Sequence, residues 1–141
     1  MATLTQSWIK AWNDHEVEKL LSLYDEHSDC EIISENYRFT DSRSFEEMVH
    51  RFLYAFPDLH FETLEKLEEN DKVAMLWIAR GTHRGKYINI PPTGKKLEVR
   101  GTAFFTLKNG KIVKTTFLWD GADMLRQMGL LPDVRVAMWS V

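Results

Sequence analysis

Asn109-Gly110, set between two long apolar runs, is the feature that most limits the folds open to this chain. Both residues accept the positive φ that a two-residue hairpin turn demands, so 97–108 and 111–120 are predicted to pair as antiparallel strands. With this turn, Lys108 faces Lys111. Counting outward sets Lys114 opposite Phe105, Thr116 opposite Ala103, Leu118 opposite Gly101 and Asp120 opposite Val99. Alternation then gathers Asp120, Leu118, Gly101, Ala103 and Phe105 on one face. The small residues there leave room. A carboxylate among apolar neighbours is disfavoured in its charged form. A carboxyl group tuned that way suits proton transfer beside a carbonyl. Asp120 also stands where a last helix is expected, and Asp is a favoured N-cap, with Asp123 adding charge suited to the first turn. Cap and catalyst are both open readings of it.

The first third reads as helical. Leu4, Trp8, Ala11 and Trp12 share one helix face. Asn13 with Glu16, and Ser44 with Glu47, have capping-box spacing, opening a second helix and a third one closed by Pro57. A short strand is expected over 30–34, and two more over 59–68 and 73–82, with a polar turn over 69–72. The strand 73–82 has apolar residues on both faces, so both faces are expected to be covered. The segment 85–95, with two Gly and two Pro, reads as a loop. The last helix is expected over 122–128, stopping at Gly129. Helices followed by antiparallel meanders argue for an α+β domain, a curled antiparallel sheet packed on N-terminal helices with a cavity on its concave side.

The chain has 141 residues, the size of one domain, so 1–141 is read as a single unit. Its 44% apolar content supports a real core, and 12% aromatics, with five Trp, suit a pocket wall or a subunit interface. A net charge of −3 without a basic run argues against nucleic acid as partner. No apolar stretch approaches the length of a membrane span, and the start lacks the apolar run of a signal peptide. Cys30 has no second cysteine to bridge, which fits a reducing, cytoplasmic setting. No metal-ligand spacing, dinucleotide fingerprint or nucleophile elbow is present.

His83 is the second candidate catalytic residue. It ends a strand ahead of the 85–95 loop and is placed to orient a carbonyl at a cavity mouth, or simply to hydrogen-bond at the strand end. His15, His27, His50 and His60 sit in polar or helical contexts and read as surface residues. Trp77, Phe105, Leu118, Phe52 and Phe56 are expected to wall the pocket, with core packing the ordinary use of such residues. Trp119 and Arg100 fall out of phase with Asp120 and are expected at the core, an interface or the surface.

Four stretches together resemble the SnoaL-like polyketide cyclases, within the nuclear-transport-factor-2-like superfamily. They are Trp8–Asn13 with Leu20–Tyr24; Phe56–Leu59; Gly81–Gly85 with Ile90–Lys95; and Trp119-Asp120 with Leu125–Pro132. Pro91–Lys95 and the Trp-Asp ending are the most specific of these. The resemblance implies a cone-shaped fold, a cofactor-free pocket for a small apolar molecule, and a homodimer. It also implies that Asp120 is the general acid/base of an intramolecular aldol-type ring closure. The cyclases pair that aspartate with a histidine on the late strands, and 108–119 holds none. A non-catalytic binding protein with the same pocket is therefore the alternative. An interaction scaffold with a filled cone is a third.

Overall fold

The computed structural model describes residues 3–132. Four helices, α1 (Leu4–Asn13), α2 (Val17–Ser22), α3 (Ser42–Ala55) and α4 (Gly121–Gln127), pack with a curled, unclosed sheet of six strands. The strands are β1 (Tyr24–Ile32), β2 (Tyr37–Phe39), β3 (His60–Glu69), β4 (Lys72–Thr82), β5 (Lys96–Lys108) and β6 (Lys111–Trp119), in the order β2-β1-β6-β5-β4-β3. This is the expected α+β cone, with one correction. The sheet is mixed, because β1 and β6 run parallel while every other pair is antiparallel.

Both expected capping boxes are also replaced. Asn13 ends α1 and binds the Phe61 backbone instead, accepting from its N–H at 2.7 Å and donating to its carbonyl at 2.9 Å. Asp41, not Ser44, caps α3 by accepting from the Ser44 N–H. The real box is Thr3 with Gln6, at the start of α1. The first strand is longer than 30–34 and begins earlier, at Tyr24. Its polar stretch Asp25–His27 is exposed, so hydrophobic patterning could not find it.

Asn109 and Gly110 do form the hairpin turn, with φ of 54° and 77°. The pairing beyond it departs from simple counting. Lys108 faces Lys111 and Leu107 faces Ile112, but Thr106 faces Lys114, so Val113 is an extra residue in β6. This bulge turns the rest of β6 over. Gly101 faces Trp119, Ala103 faces Phe117 and Phe105 faces Thr115. Ile112, Thr115, Phe117 and Trp119 therefore point into the cone, and Leu118 points out, 42% exposed.

The core fills the narrow part of the cone. Trp8 sits at its centre, in ring contact with Trp12, Phe61, Phe105 and Phe117 at 5.4–6.0 Å, and its indole N–H donates to the Tyr24 hydroxyl. Burial pushes the Tyr24 hydroxyl above its ordinary range and the Cys30 thiol up to about 12, so both remain protonated packing groups.

Candidate functional site

Above this core lies a cavity of about 80 Å³. Its wall is drawn from Trp8 and Trp12 of α1, Met48 and Phe52 of α3, Phe61, Trp77, Val99 and Phe117 of the sheet, and Met124 of α4, among others. Phe52, Ala79, Gly81 and Trp119 are its less buried apolar members and mark the mouth. Among the described residues, Arg80 is the one ionisable residue in the wall, and its guanidinium is turned to the outer face of the sheet, paired with Glu62 and Glu98 at 3.1 and 3.3 Å. Pockets for drug-sized ligands measure roughly 300–1,000 Å³. A ligand of that size is thus seated only when wall residues shift, Phe52 and Trp119 at the mouth among them.

Gly101 sets the position of the Trp77 indole. A Cβ there would fall 2.4 Å from its benzo edge, and Trp77 needs that space to lie across β5 toward Trp119. Ser34 fixes Trp119 from the far side, its hydroxyl donating to the Trp119 carbonyl and accepting from its N–H, both at 2.8 Å.

The expected wall residues divide. Trp77, Phe52 and Phe56 line the cavity. Phe105 lies inward but below it, in the core against Trp8. Leu118 is a correction: the Val113 bulge turns it to the outer face of the sheet, and Trp119 takes the inward place.

Asp120 also departs from its expected surroundings. It is exposed and has no place on the apolar face, because the bulge removes the register that put it there. One carboxylate oxygen accepts from the Asp123 N–H at 2.9 Å and caps α4. Asp120 nonetheless stands between two members of the wall, Trp119 just before it and Met124 one helical turn after it.

His83 is fully buried and outside the wall. It packs against Phe56, which is in the wall, at 5.6 Å between rings. Its Nδ1 accepts from the Thr93 N–H at 3.2 Å and lies 3.0 Å from the Thr93 hydroxyl. Its backbone donates to Lys95 and accepts from Gly94, so it closes the Pro-rich loop on itself. An Nδ1 that accepts leaves the neutral ring's proton on Nε2. Burial holds this imidazole below its ordinary range, with the Gly85 backbone opposing.

A polar cluster beside the mouth went unseen in the sequence. The buried Glu35 carboxylate receives two bonds from Arg51, at 2.7 and 3.0 Å, and one from the Tyr87 hydroxyl. Burial works against the Arg51 charge, but the Glu35 pairing outweighs it and raises its pKa. The Tyr87 ring touches Phe52 and Phe56 at 5.8 and 5.9 Å, so the cluster braces two wall residues from behind. Its members are 52 residues apart in sequence, and no spacing rule links them.

Residues 2–128 match the SnoaL-like polyketide cyclases. The chain belongs to that family. No curated protein matches it. Among solved structures, AclR of Streptomyces galilaeus, a candidate hydroxylase, is 24% identical with a TM-score of 0.85, over 98% of this chain and 91% of AclR. IdmH of Streptomyces antibioticus, a candidate polyketide cyclase, is 24% identical with a TM-score of 0.77, over 89% and 96%. A ketosteroid isomerase-like protein of Catenulispora acidiphila, solved with trimethylamine, shares the fold at 14% identity and a TM-score of 0.79, over 93% and 95%. At these identities the structures speak for the fold. It is the nuclear-transport-factor-2-like cone of the SnoaL-like family.

Proposed function

We propose that this SnoaL-like protein seats a small, mostly apolar carbonyl compound in the cone and moves a proton beside that carbonyl, with Asp120 acting from the rim. The observation that carries the reading is the position of Asp120 between two wall residues, Trp119 and Met124. An apolar wall binds the body of such a molecule by burial. The C–H bond beside the carbonyl then faces the mouth, where one Asp120 carboxylate oxygen is used by the α4 cap and the other is left for the substrate. A carboxylate is an ordinary general base for a proton beside a carbonyl. His83 acts indirectly in this scheme, by fixing the loop behind Phe56.

A second reading, binding without chemistry, is favoured by one specific observation: among the described residues, no carboxylate or imidazole belongs to the cavity wall. Deuterium exchange at the carbon next to the carbonyl of 1-indanone separates the two. The wild type is expected to accelerate exchange over buffer, and Asp120→Asn to lose about 10²-fold or more of that acceleration. Asn is itself a good N-cap, so the variant keeps α4 in place. Indanone binding with no acceleration by the wild type establishes the binder.

A further inference from the structure

The chamber measures about 80 Å³, whereas an engineered apolar cavity that takes benzene measures about 150 Å³. Part of the wall therefore moves outward when a ring enters. Two wall residues, Phe52 and Phe56, rest on the Tyr87 ring at 5.8 and 5.9 Å between centroids. Tyr87 belongs to the segment 86–92, whose two ends are pinned. On one side the Arg84 and Gly85 N–H groups donate to the Ala55 carbonyl at 3.0 and 3.2 Å. On the other the Thr93 and Gly94 N–H groups donate to His83 at 3.2 and 2.8 Å. Between these pins, among the described residues, one hydrogen bond ties the segment to the rest of the fold, from the Tyr87 hydroxyl to the Glu35 carboxylate. The bonds between Tyr87 and Ile90 are internal to the segment, and Ile90 is only partly buried against the core. Ile88 has a φ of 52° and is half exposed. A β-branched residue is strained in that region, so the closed turn stores energy that opening releases. When Tyr87 leaves, Glu35 keeps both bonds from Arg51, so opening costs one hydrogen bond and strands no buried charge.

We propose that the segment 86–92 is a movable panel behind the chamber wall and that the Tyr87–Glu35 bond is its latch. Release of Tyr87 lets Phe52 and Phe56 move back and admits a ring-sized ligand. This rests on the chamber reading above and adds to it the residue that decides what size of molecule enters. The latched form is the major one without ligand. A ligand that needs the open form therefore binds more weakly, by the fraction open, than its contacts alone would give.

Stopped-flow mixing with 1-indanone, read by tryptophan fluorescence, tests the latch. In the wild type the observed rate is expected to approach a limit, the rate of opening, as indanone is raised. Tyr87→Phe keeps the ring and removes the latch. Its limiting rate is expected to rise several-fold and its affinity for indanone to tighten about tenfold, the effect of one hydrogen bond on the fraction open. A bond that merely held the fold together would have the opposite effect, weaker binding on its removal. Ile88→Asn, at an exposed site, places a residue that tolerates positive φ and so steadies the closed turn. It is expected to lower the limiting rate and weaken binding. Indanone binding whose rate keeps rising with concentration, alike in all three proteins, overturns the latch and leaves the chamber standing. If none of the three binds indanone, the chamber reading falls and the latch falls with it.

Discussion

An imidazole shut away from water, and accepting a hydrogen bond at Nδ1, is stable only while neutral. His83 meets both conditions. Its folded pKa is lowered by burial, whereas in the unfolded chain it takes its ordinary value of about 6.5. Between those two values the unfolded chain binds the extra proton, so stability rises with pH and is lost as pH falls below about 6.5. The limiting slope is about 1.4 kcal/mol per pH unit. Melting temperatures taken from pH 7.5 to 5.5 are expected to fall for the wild type. His83→Gln is expected to melt lower at pH 7.5 and to show little of that slope. Parallel curves for the two proteins would show that His83 does not titrate on unfolding. Asp58 acts at lower pH. The bonds it accepts from the Thr82 N–H and hydroxyl, at 2.6 and 2.7 Å, overcome its partial desolvation and lower its pKa. Its contribution is complete above the ordinary carboxylate range and disappears only as pH falls through the lowered value.

At the scale of the element, β6 explains what could be read in the sequence and what could not. The Asn109-Gly110 turn was legible because it rests on the φ preferences of two residues. The Val113 bulge was not, because it belongs to the pairing of two strands and no φ preference within 111–119 marks it. That one extra residue exchanged Leu118 for Trp119 in the cavity wall and took Asp120 off the apolar face. The helices were legible by periodicity, while Asn13 showed its use only once β3 lay beside α1. The strand end at His83 was also read correctly, but its burial comes from a loop folding back through Thr93. The last helix carries its own prediction. Gln127 of α4 accepts from the Glu98 N–H at 2.8 Å and donates to the Glu98 carbonyl at 2.7 Å, and so holds Met124 over the cavity. Gln127→Ala is expected to loosen that helix by about 1–2 kcal/mol, from the two hydrogen bonds to Glu98 that tie it to the sheet. Amide exchange at Met124 and Met128 is then expected to quicken while that of β4 holds steady. Unchanged exchange in α4 would mean that Met124 packing alone keeps the helix shut.

At the scale of the whole molecule, the outer face of the sheet has work left over. Leu67, Ala74, Phe104 and Thr116 lie side by side in one row across β3, β4, β5 and β6, and Glu65, Leu76, Thr102 and Leu118 form the next. Leu67, Phe104 and Leu118 are 67%, 49% and 42% exposed. Charged groups border this stripe: Arg80 with Glu62 and Glu98 toward one end of the strands, Lys72 and Lys114 toward the other. Leu67, Ala74, Phe104, Leu76 and Leu118, interrupted by Thr102 and Thr116 and rimmed by charge, have the form of a protein–protein surface. We propose that it takes a second copy of the chain, the homodimer that the family resemblance implies. A two-fold contact needs a self-complementary patch, and a central apolar stripe with charges at both ends can meet itself antiparallel. Phe104→Glu would then place like charges opposite each other in the middle of the interface. Light scattering at tens of micromolar is expected to give twice the chain mass for the wild type and the single-chain mass for Phe104→Glu. Tyr54→Glu, at an exposed site on α3, is the control and is expected to leave the dimer intact. Because the stripe lies on the convex side and the cavity on the concave side, the separated Phe104→Glu chain is expected to bind 1-indanone as the wild type does. A wild type that scatters as a single chain would leave the stripe without this partner. A monomeric variant that fails to bind would mean the cone holds its shape only when paired.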